Sequence, residues 1–162
     1  SYEVITLFGI NGNVGLSFTR LALSAGYRIQ ALSLPSSSLD IEHEHLSILT
    51  GTLEVDDMVI EQLLENATFV VCLFNDDAVF KKNKTYPKGF YLQFIKRLYS
   101  LMHKSNVRLF IYQATAITVD TTGRSPVLSN TIKFIKRSLF RNIKADRIQK
   151  DHDTIVEFIG NS

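Results

Sequence analysis

Residues 4–15 read VITLFGINGNVG, and this stretch decides the fold. Its first five residues are mostly β-branched, leucine or aromatic, which is typical of a buried parallel strand. Three glycines follow with G-x-x-G-x-x-G spacing, and an amphipathic pattern starts before the last of them. The stretch therefore predicts a strand that turns sharply into a helix. The residues that we expect on one face of that helix are Val14, Phe18, Leu21, Ala22 and Ala25.

Such a turn leaves the first N–H groups of the helix pointing at the turn, at the positive end of the helix dipole. This arrangement suits a pyrophosphate, and glycines let the phosphate and the sheet approach the backbone closely. The alternative is a glycine-rich turn that only permits tight packing. The residues predicted to line a dinucleotide site here are Gly9, Asn11, Gly12, Asn13, Val14 and Gly15.

The rest of the chain alternates between strand and helix patterns. Further strands are predicted at 28–32, 46–51, 69–74 and 107–112. The alternation predicts an α/β fold, a doubly wound parallel sheet of the Rossmann type with strand order 3-2-1-4-5. The apolar positions of the two intervening helices are Ile60, Leu63, Leu64 and Ala67, then Tyr91, Phe94, Ile95, Leu98, Leu101 and Met102.

Composition limits the classes of function. A chain of 162 residues fits one dinucleotide-binding domain spanning 1–162, and a net charge of +2 gives no argument for nucleic acid. No apolar run is long enough to predict a membrane span. The single cysteine, Cys72, falls in a predicted strand and is expected to be a small core residue. Because no disulfide can form within the chain, we expect a reducing, cytoplasmic location. No metal-ligand spacing is present, so no metal site is predicted.

The end of the second predicted strand bears on the choice of cofactor. In dinucleotide folds, an acidic residue about 20 positions past the glycines holds the ribose 2′-OH of NAD. Here the chain reads SLPSSS over 33–38, with no carboxylate before Asp40. We expect Leu34 and Ser36 near the adenosine ribose, and the serines favour NADP, with NAD still possible. A plain polar loop is the alternative.

The glycine spacing also carries a family resemblance. ITLFGINGNVGLSFTRLALSAGYRIQALSL, residues 5–34, resembles the extended and atypical short-chain dehydrogenase/reductase superfamily, most closely its NmrA-like and biliverdin-IXβ/flavin reductase-like branch. The resemblance extends, with departures, through nearly the whole chain. It implies an NAD(P)-binding Rossmann domain. Relatives continue into a further strand and a substrate region, so the chain is expected to lack the C-terminal strand.

The resemblance also implies site residues. Relatives place Gly-Asp-hydrophobic near the adenine, where this chain has Gly51, Thr52 and Leu53. Phe74 and Asn75, at the end of the fourth strand, are expected to lie against the ribose and nicotinamide. Ala114 and Thr115, at the end of the fifth strand, are expected to lie beside the nicotinamide.

One residue is the candidate for catalysis. Relatives carry serines at the end of the fifth strand, where this chain has a hydroxyl only at Thr115. Thr115 is therefore the candidate catalytic residue. The alternative is that this strand-end threonine hydrogen-bonds its own backbone. Active relatives use a Tyr-x-x-x-Lys pair, in which the lysine lowers the tyrosine pKa. The matching spacing here is Asp146 with Lys150, which could hold a ribose or simply be solvated.

Two functions from different classes remain. One is an NAD(P)H-dependent reductase that passes hydride to a small conjugated acceptor, such as a flavin, quinone or tetrapyrrole. Such chemistry can take its proton from water, so it does not need the tyrosine. The other is a non-catalytic NmrA-like regulator that reports cofactor redox state to a protein partner, which the missing Tyr-x-x-x-Lys pair favours.

Overall fold

The described part of the chain contains five parallel strands, three helices with defined bounds, and further helical residues near its end. The computed structural model describes residues 2–35, 38–73, 89–113, 154–155, 157–159 and 161. The elements are β1 (Val4–Phe8), α1 (Asn13–Ser24), β2 (Arg28–Ser33), β3 (Leu46–Thr50), α2 (Asp57–Leu64), β4 (Phe69–Cys72), α3 (Phe90–Met102) and β5 (Leu109–Tyr112). By contacts, the chain divides into two units: Ser1–Thr85 with Arg97–Gln113, and Tyr86–Lys96 with Ala114–Ser162.

The sheet has strand order β3-β2-β1-β4-β5, with every pair parallel, as the sequence predicts. Phe8 at the end of β1 pairs with Leu32 and with Cys72. Strand β4 ends at Cys72, earlier than predicted. The reason is that its neighbour β1 ends at Phe8, which pairs with Cys72, and Gly9 then turns the chain away with φ 102°.

The first unit has its core on both faces of the sheet. On the α1 face, alternate strand residues pack against Ala22 and Leu23 of α1. The buried strand and loop members of that cluster are Ile5, Leu7, Ile10, Ile29, Ala31, Val71 and Leu73. Thr6, between Ile5 and Leu7, is fully buried, and its hydroxyl donates to the Leu63 carbonyl of α2. Successive side chains of β1 therefore contact α1 on one face of the sheet and α2 on the other.

The prediction of the buried face of α1 is right for Ala22, which is buried, and for Phe18, which packs against the core, and wrong for the other three residues. Val14 is 45% exposed and Leu21 is 72% exposed, and Ala25 is also exposed. The buried residues of the helix are Gly15, Thr19, Ala22 and Leu23. Gly15 fixes this rotation because it lies against the backbone of the glycine turn. Leu21, six residues later, is then about 240° around the helix and faces away from the sheet.

The patterns of the other two helices are confirmed. In α2, Ile60, Leu63 and Leu64 are buried, and so is Ala67 just beyond it. Asp56 caps α2, since its carboxylate accepts from the Val59 N–H at 3.3 Å. In α3, the six predicted apolar residues are all buried: Tyr91, Phe94, Ile95, Leu98, Leu101 and Met102.

In the second unit, residues 154–155 and 157–159 are helical, and Ile155 is fully buried. The Lys96 ammonium lies 5.7 Å from the centre of the Phe158 ring. Across the described ranges of the whole chain, no helix has the length and apolar character needed to cross a membrane.

Candidate functional site

Two of the three glycines in the turn after β1 are required by the fold itself. Gly9 has φ 102°, and a Cβ there would collide with the carbonyl oxygen of Leu73. A Cβ on Gly15 would collide with the carbonyl oxygen of Gly9 and would lie 2.9 Å from the Ile10 Cα. The start of α1, the end of β1 and the residue after β4 are therefore in direct backbone contact. This contact places the start of α1 at the carboxyl edge of the sheet.

Gly12 differs from these two because its backbone does not require glycine. It is the N-cap of α1, with φ −89° and ψ 164°, which any residue adopts. It is buried, its carbonyl accepts from the Leu16 N–H at 2.8 Å, and as a glycine it supplies no side-chain cap of its own. The first turn of α1 also carries no acidic side chain. The positive end of the helix dipole is thus not neutralised by a carboxylate from its own first turn, which leaves it suited to an anion.

Asn11 connects the glycine turn to the end of β2. Its side-chain Nδ2 donates to the Ser33 hydroxyl at 3.0 Å, and its Oδ1 accepts from the Leu34 N–H at 2.9 Å. Ser33 is 4% exposed, and its hydroxyl also lies 3.4 Å from the Leu34 carbonyl oxygen. Both ends of the Asn11 amide are therefore used to join β1 to β2. Sequence reasoning placed Asn11 and Leu34 in one site but missed the bond that links them.

The loop after β3 lies beside the same end of β2. The Gly51 N–H donates to the Ser33 carbonyl at 2.8 Å. The Thr52 hydroxyl accepts from the Glu54 N–H at 3.2 Å, so this side chain organises its own loop. Leu53 is buried, with 8% of its surface exposed. The structure thus brings Thr52 and Leu53 to the carboxyl edge next to β2.

On the other side of β1, the residues after β4 and β5 continue the edge. The Leu73 N–H donates to the Phe8 carbonyl, and the Gln113 N–H donates to the Cys72 carbonyl, each at 2.9 Å. Gly9, Leu73 and Gln113 each follow directly after a strand, so they form a row along the carboxyl edge. The predicted end of the fifth strand at residue 112 already puts Gln113 here, and the observed end of β5 confirms that position.

Cys72, in the middle of this region, is a core residue as predicted. Its thiol is fully buried, and burial raises its pKa well above the ordinary value. A thiol that stays protonated is a poor nucleophile. Cys72 therefore contributes packing to the sheet and no chemistry to the site.

Several predicted site residues lie outside the described residues, and their roles stay predictions. They are Ser36, Phe74, Asn75, Ala114, Thr115 and Lys150. Within the described ranges, no three His, Cys, Asp or Glu side chains are grouped so that they could hold a metal ion.

No protein-family model and no curated protein matches the sequence. Solved structures do match the fold. An epimerase from Methanothermobacter thermautotrophicus is 16% identical, with a TM-score of 0.62 over 99% of this chain and 47% of that chain. A short-chain dehydrogenase/reductase superfamily protein from Agrobacterium tumefaciens, solved with bound NAD, is 14% identical, with a TM-score of 0.61 over 99% and 46%. NmrA, a negative transcriptional regulator, is 15% identical, with a TM-score of 0.57 over 86% and 44%.

These similarities confirm the predicted resemblance at the level of the fold. The structural neighbours are short-chain dehydrogenase/reductase, epimerase and NmrA proteins of the Rossmann type, as the glycine turn indicated. The chain spans about half the length of the solved structures that it matches. At such identities the likeness shows the fold alone.

Proposed function

We propose that this chain binds a nicotinamide dinucleotide, with the pyrophosphate at the start of α1. The observation that carries the proposal is the start of α1, which lies at the carboxyl edge of the sheet with a glycine at the N-cap and no acidic residue in its first turn. A glycine at the N-cap lets a phosphate approach the first N–H groups of the helix without meeting a Cβ. The bound NAD of the fold neighbour from Agrobacterium tumefaciens supports the same class of ligand.

The order of the strands sets the direction of the dinucleotide. In this fold the adenosine ribose lies at the end of β2, so the nicotinamide half extends over β4 and β5. Leu34, Thr52 and Leu53 belong to the adenosine side of the proposed site. Ser36 is proposed to contact the cofactor on the same side. The residues proposed for its remaining contacts are Phe74, Asn75, Ala114 and Lys150.

The proposed cofactor is NADP(H), with NAD(H) as the weaker ligand. No carboxylate occurs between Ser33 and Leu39, so nothing in this stretch would repel a 2′-phosphate or hold a 2′-OH in the manner of NAD enzymes. The Ser33 hydroxyl and the Leu34 N–H already bond Asn11. The donors to a 2′-phosphate are therefore proposed to come from the serines that follow, with Ser36 first among them.

The proposed activity is reduction of a small conjugated acceptor. Hydride leaves the dihydronicotinamide ring for the acceptor, the cofactor becomes oxidised, and the proton that completes the reduced acceptor comes from water. Thr115 is proposed to orient the acceptor through its hydroxyl. This activity is compatible with the absence of a tyrosine after Gln113.

A second candidate is a regulator that binds the cofactor without catalysis. The specific observation in its favour is that aspartate stands at position 146, four residues before Lys150, where active relatives have tyrosine. The fold similarity to the negative transcriptional regulator NmrA supports the same alternative.

Calorimetric titration with NADPH and NADH tests the binding proposal. We expect the unmodified protein to bind both, and Gly12→Ala to weaken binding by at least about tenfold, because the new methyl group stands between the phosphate and the helix N-terminus. The matched control is Gly26→Ala, at the other end of α1, where a Cβ meets nothing within 4 Å. Absence of binding to the unmodified protein would refute the proposal.

The same preparation separates the reductase from the regulator. We expect the absorbance of NADPH to fall in the presence of one of a panel of flavins and quinones. If no acceptor is reduced, yet the oxidised and reduced cofactors bind with different affinities, the regulator is the correct alternative.

A further inference from the structure

Arg97, in the second half of α3, joins that helix to the chain around the start of α2. Its Nε lies 3.0 Å from the Asp57 Oδ1, and its Nη2 donates to the Val55 carbonyl. A guanidinium presents its donors as a planar fork, so it can bind two oxygens at once in a fixed geometry. One side chain of α3 therefore holds both the first residue of α2 and the loop before it.

That loop, between β3 and α2, is held at Val55 from three directions. The Val55 N–H donates to the Thr52 carbonyl at 3.2 Å, which closes a turn. The Val55 Cγ1 lies 2.7 Å from the place that a Cβ on Gly51 would take. The Val55 carbonyl is the group that Arg97 binds. A displacement of Val55 would therefore displace Thr52 and Leu53, the loop residues assigned to the adenosine side of the proposed site.

We propose that Arg97 is a positioning residue for the dinucleotide. Through Val55 it fixes the loop between β3 and α2 in the conformation that receives the adenosine, and it does not contact the ligand itself. The inference rests on the proposed dinucleotide binding and assigns to it a residue of α3. A loop that is ordered before the ligand arrives loses less conformational entropy on binding, so the tether raises the affinity without a further contact to the ligand.

The first experiment compares two arginine variants by calorimetric titration with NADPH and 2′,5′-ADP, which both carry the adenosine. We expect Arg97→Met to weaken both ligands by the same factor, about tenfold, because the loop must then be ordered on binding. Arg97→Lys, which keeps the charge without the fork, should fall between this variant and the unmodified protein. The matched control is Arg108→Met, since Arg108 also pairs with a carboxylate, Glu3 at 3.8 Å, but precedes β5.

Urea unfolding of the same variants separates positioning from stability. If Arg108→Met lowers the affinity for 2′,5′-ADP as much as Arg97→Met does, the effect is one of general stability and the proposal is overturned. No loss of affinity in Arg97→Met, or a loss for NADPH alone, would also overturn it.

A third variant identifies the contact that matters. Asp57→Asn removes the ion pair and leaves the Val55 carbonyl bonded to Arg97. Because exposed ion pairs contribute little, we expect its affinity for 2′,5′-ADP to change by less than about twofold. A loss as large as that of Arg97→Met would show that the guanidinium acts through α2 and not through the loop.

Hydrogen exchange tests the same idea on the unmodified protein, so it does not depend on a variant that folds. The Val55 amide should be protected before any ligand is added, because the loop is already ordered. An amide that exchanges freely until NADPH is added would show that the ligand orders the loop, and would contradict the proposal.

The outcomes separate this inference from the proposed function. If the unmodified protein binds neither NADPH nor 2′,5′-ADP, both the proposed function and the positioning role are refuted. If it binds both, and Arg97→Met changes neither affinity, dinucleotide binding stands and the positioning role alone is refuted.

Discussion

Gly9 and Gly26 share a left-handed backbone but differ in their surroundings. Their φ angles are 102° and 87°. A Cβ on Gly9 would collide with the Leu73 carbonyl, whereas one on Gly26 would meet nothing within 4 Å. The pair therefore separates the effect of backbone conformation from the effect of close packing.

We expect Gly26→Ala to lower the free energy of unfolding by about 1 kcal/mol, the penalty for a side chain in the left-handed region. Gly9→Ala should lower it by a further 1–3 kcal/mol or so, because β1 and β4 must also move apart. Urea unfolding of both variants measures the difference. Equal losses would show that Gly9 and Leu73 are not in close contact.

Among the elements, α2 depends on its neighbours at its C-terminus. The last carbonyls of a helix have no partner within the helix. One of them, at Leu63, accepts from the hydroxyl of Thr6 in the middle of β1. Asn66, just beyond the helix, has φ 61°, a left-handed conformation typical of a chain leaving a helix. A polar residue in the sheet thus completes the end of the helix that covers it.

Removal of that hydroxyl should destabilise the protein although the volume of the side chain hardly changes. Thr6→Val removes one of two donors to the Leu63 carbonyl, the other being the Gln30 side-chain amide at 2.7 Å. We expect a loss of about 0.5–1.5 kcal/mol in the free energy of unfolding. Thr6→Ser keeps the donor and loses only a methyl group, so it should lose less than Thr6→Val. If valine is tolerated better than serine, the hydrogen bond contributes little.

For the first unit as a whole, the parallel sheet brings the ends of all its strands to one edge. The proposed ligand would contact several of these ends in the folded state only. Binding should therefore stabilise the fold by mass action, by about 2.7 kcal/mol when the ligand is present at 100 times its Kd.

Thermal unfolding tests this and the cofactor preference together. At equal concentration, NADPH should raise the melting temperature more than NADH, because no carboxylate between Ser33 and Leu39 repels the 2′-phosphate. The shift should be smaller in Gly12→Ala, the variant expected to weaken binding. A larger rise in melting temperature with NADH would contradict the interpretation of Ser36 and its neighbours as an NADP site.

The sequence by itself determined the order of elements, the five parallel strands and the glycine turn. It also determined the buried faces of α2 and α3. These features follow from hydrophobic periodicity and glycine spacing, which are local properties that a chain carries before it folds.

Only the tertiary structure decided the face of α1 and the bridge from Asn11 to Ser33. The face of α1 depends on Gly15 meeting the Gly9 carbonyl, which overrode the apolar pattern that included Leu21. Asn11 and Ser33 are 22 residues apart, and they meet because β1 and β2 end side by side. Such contacts depend on strand register and backbone packing, so they exist only once the sheet has formed.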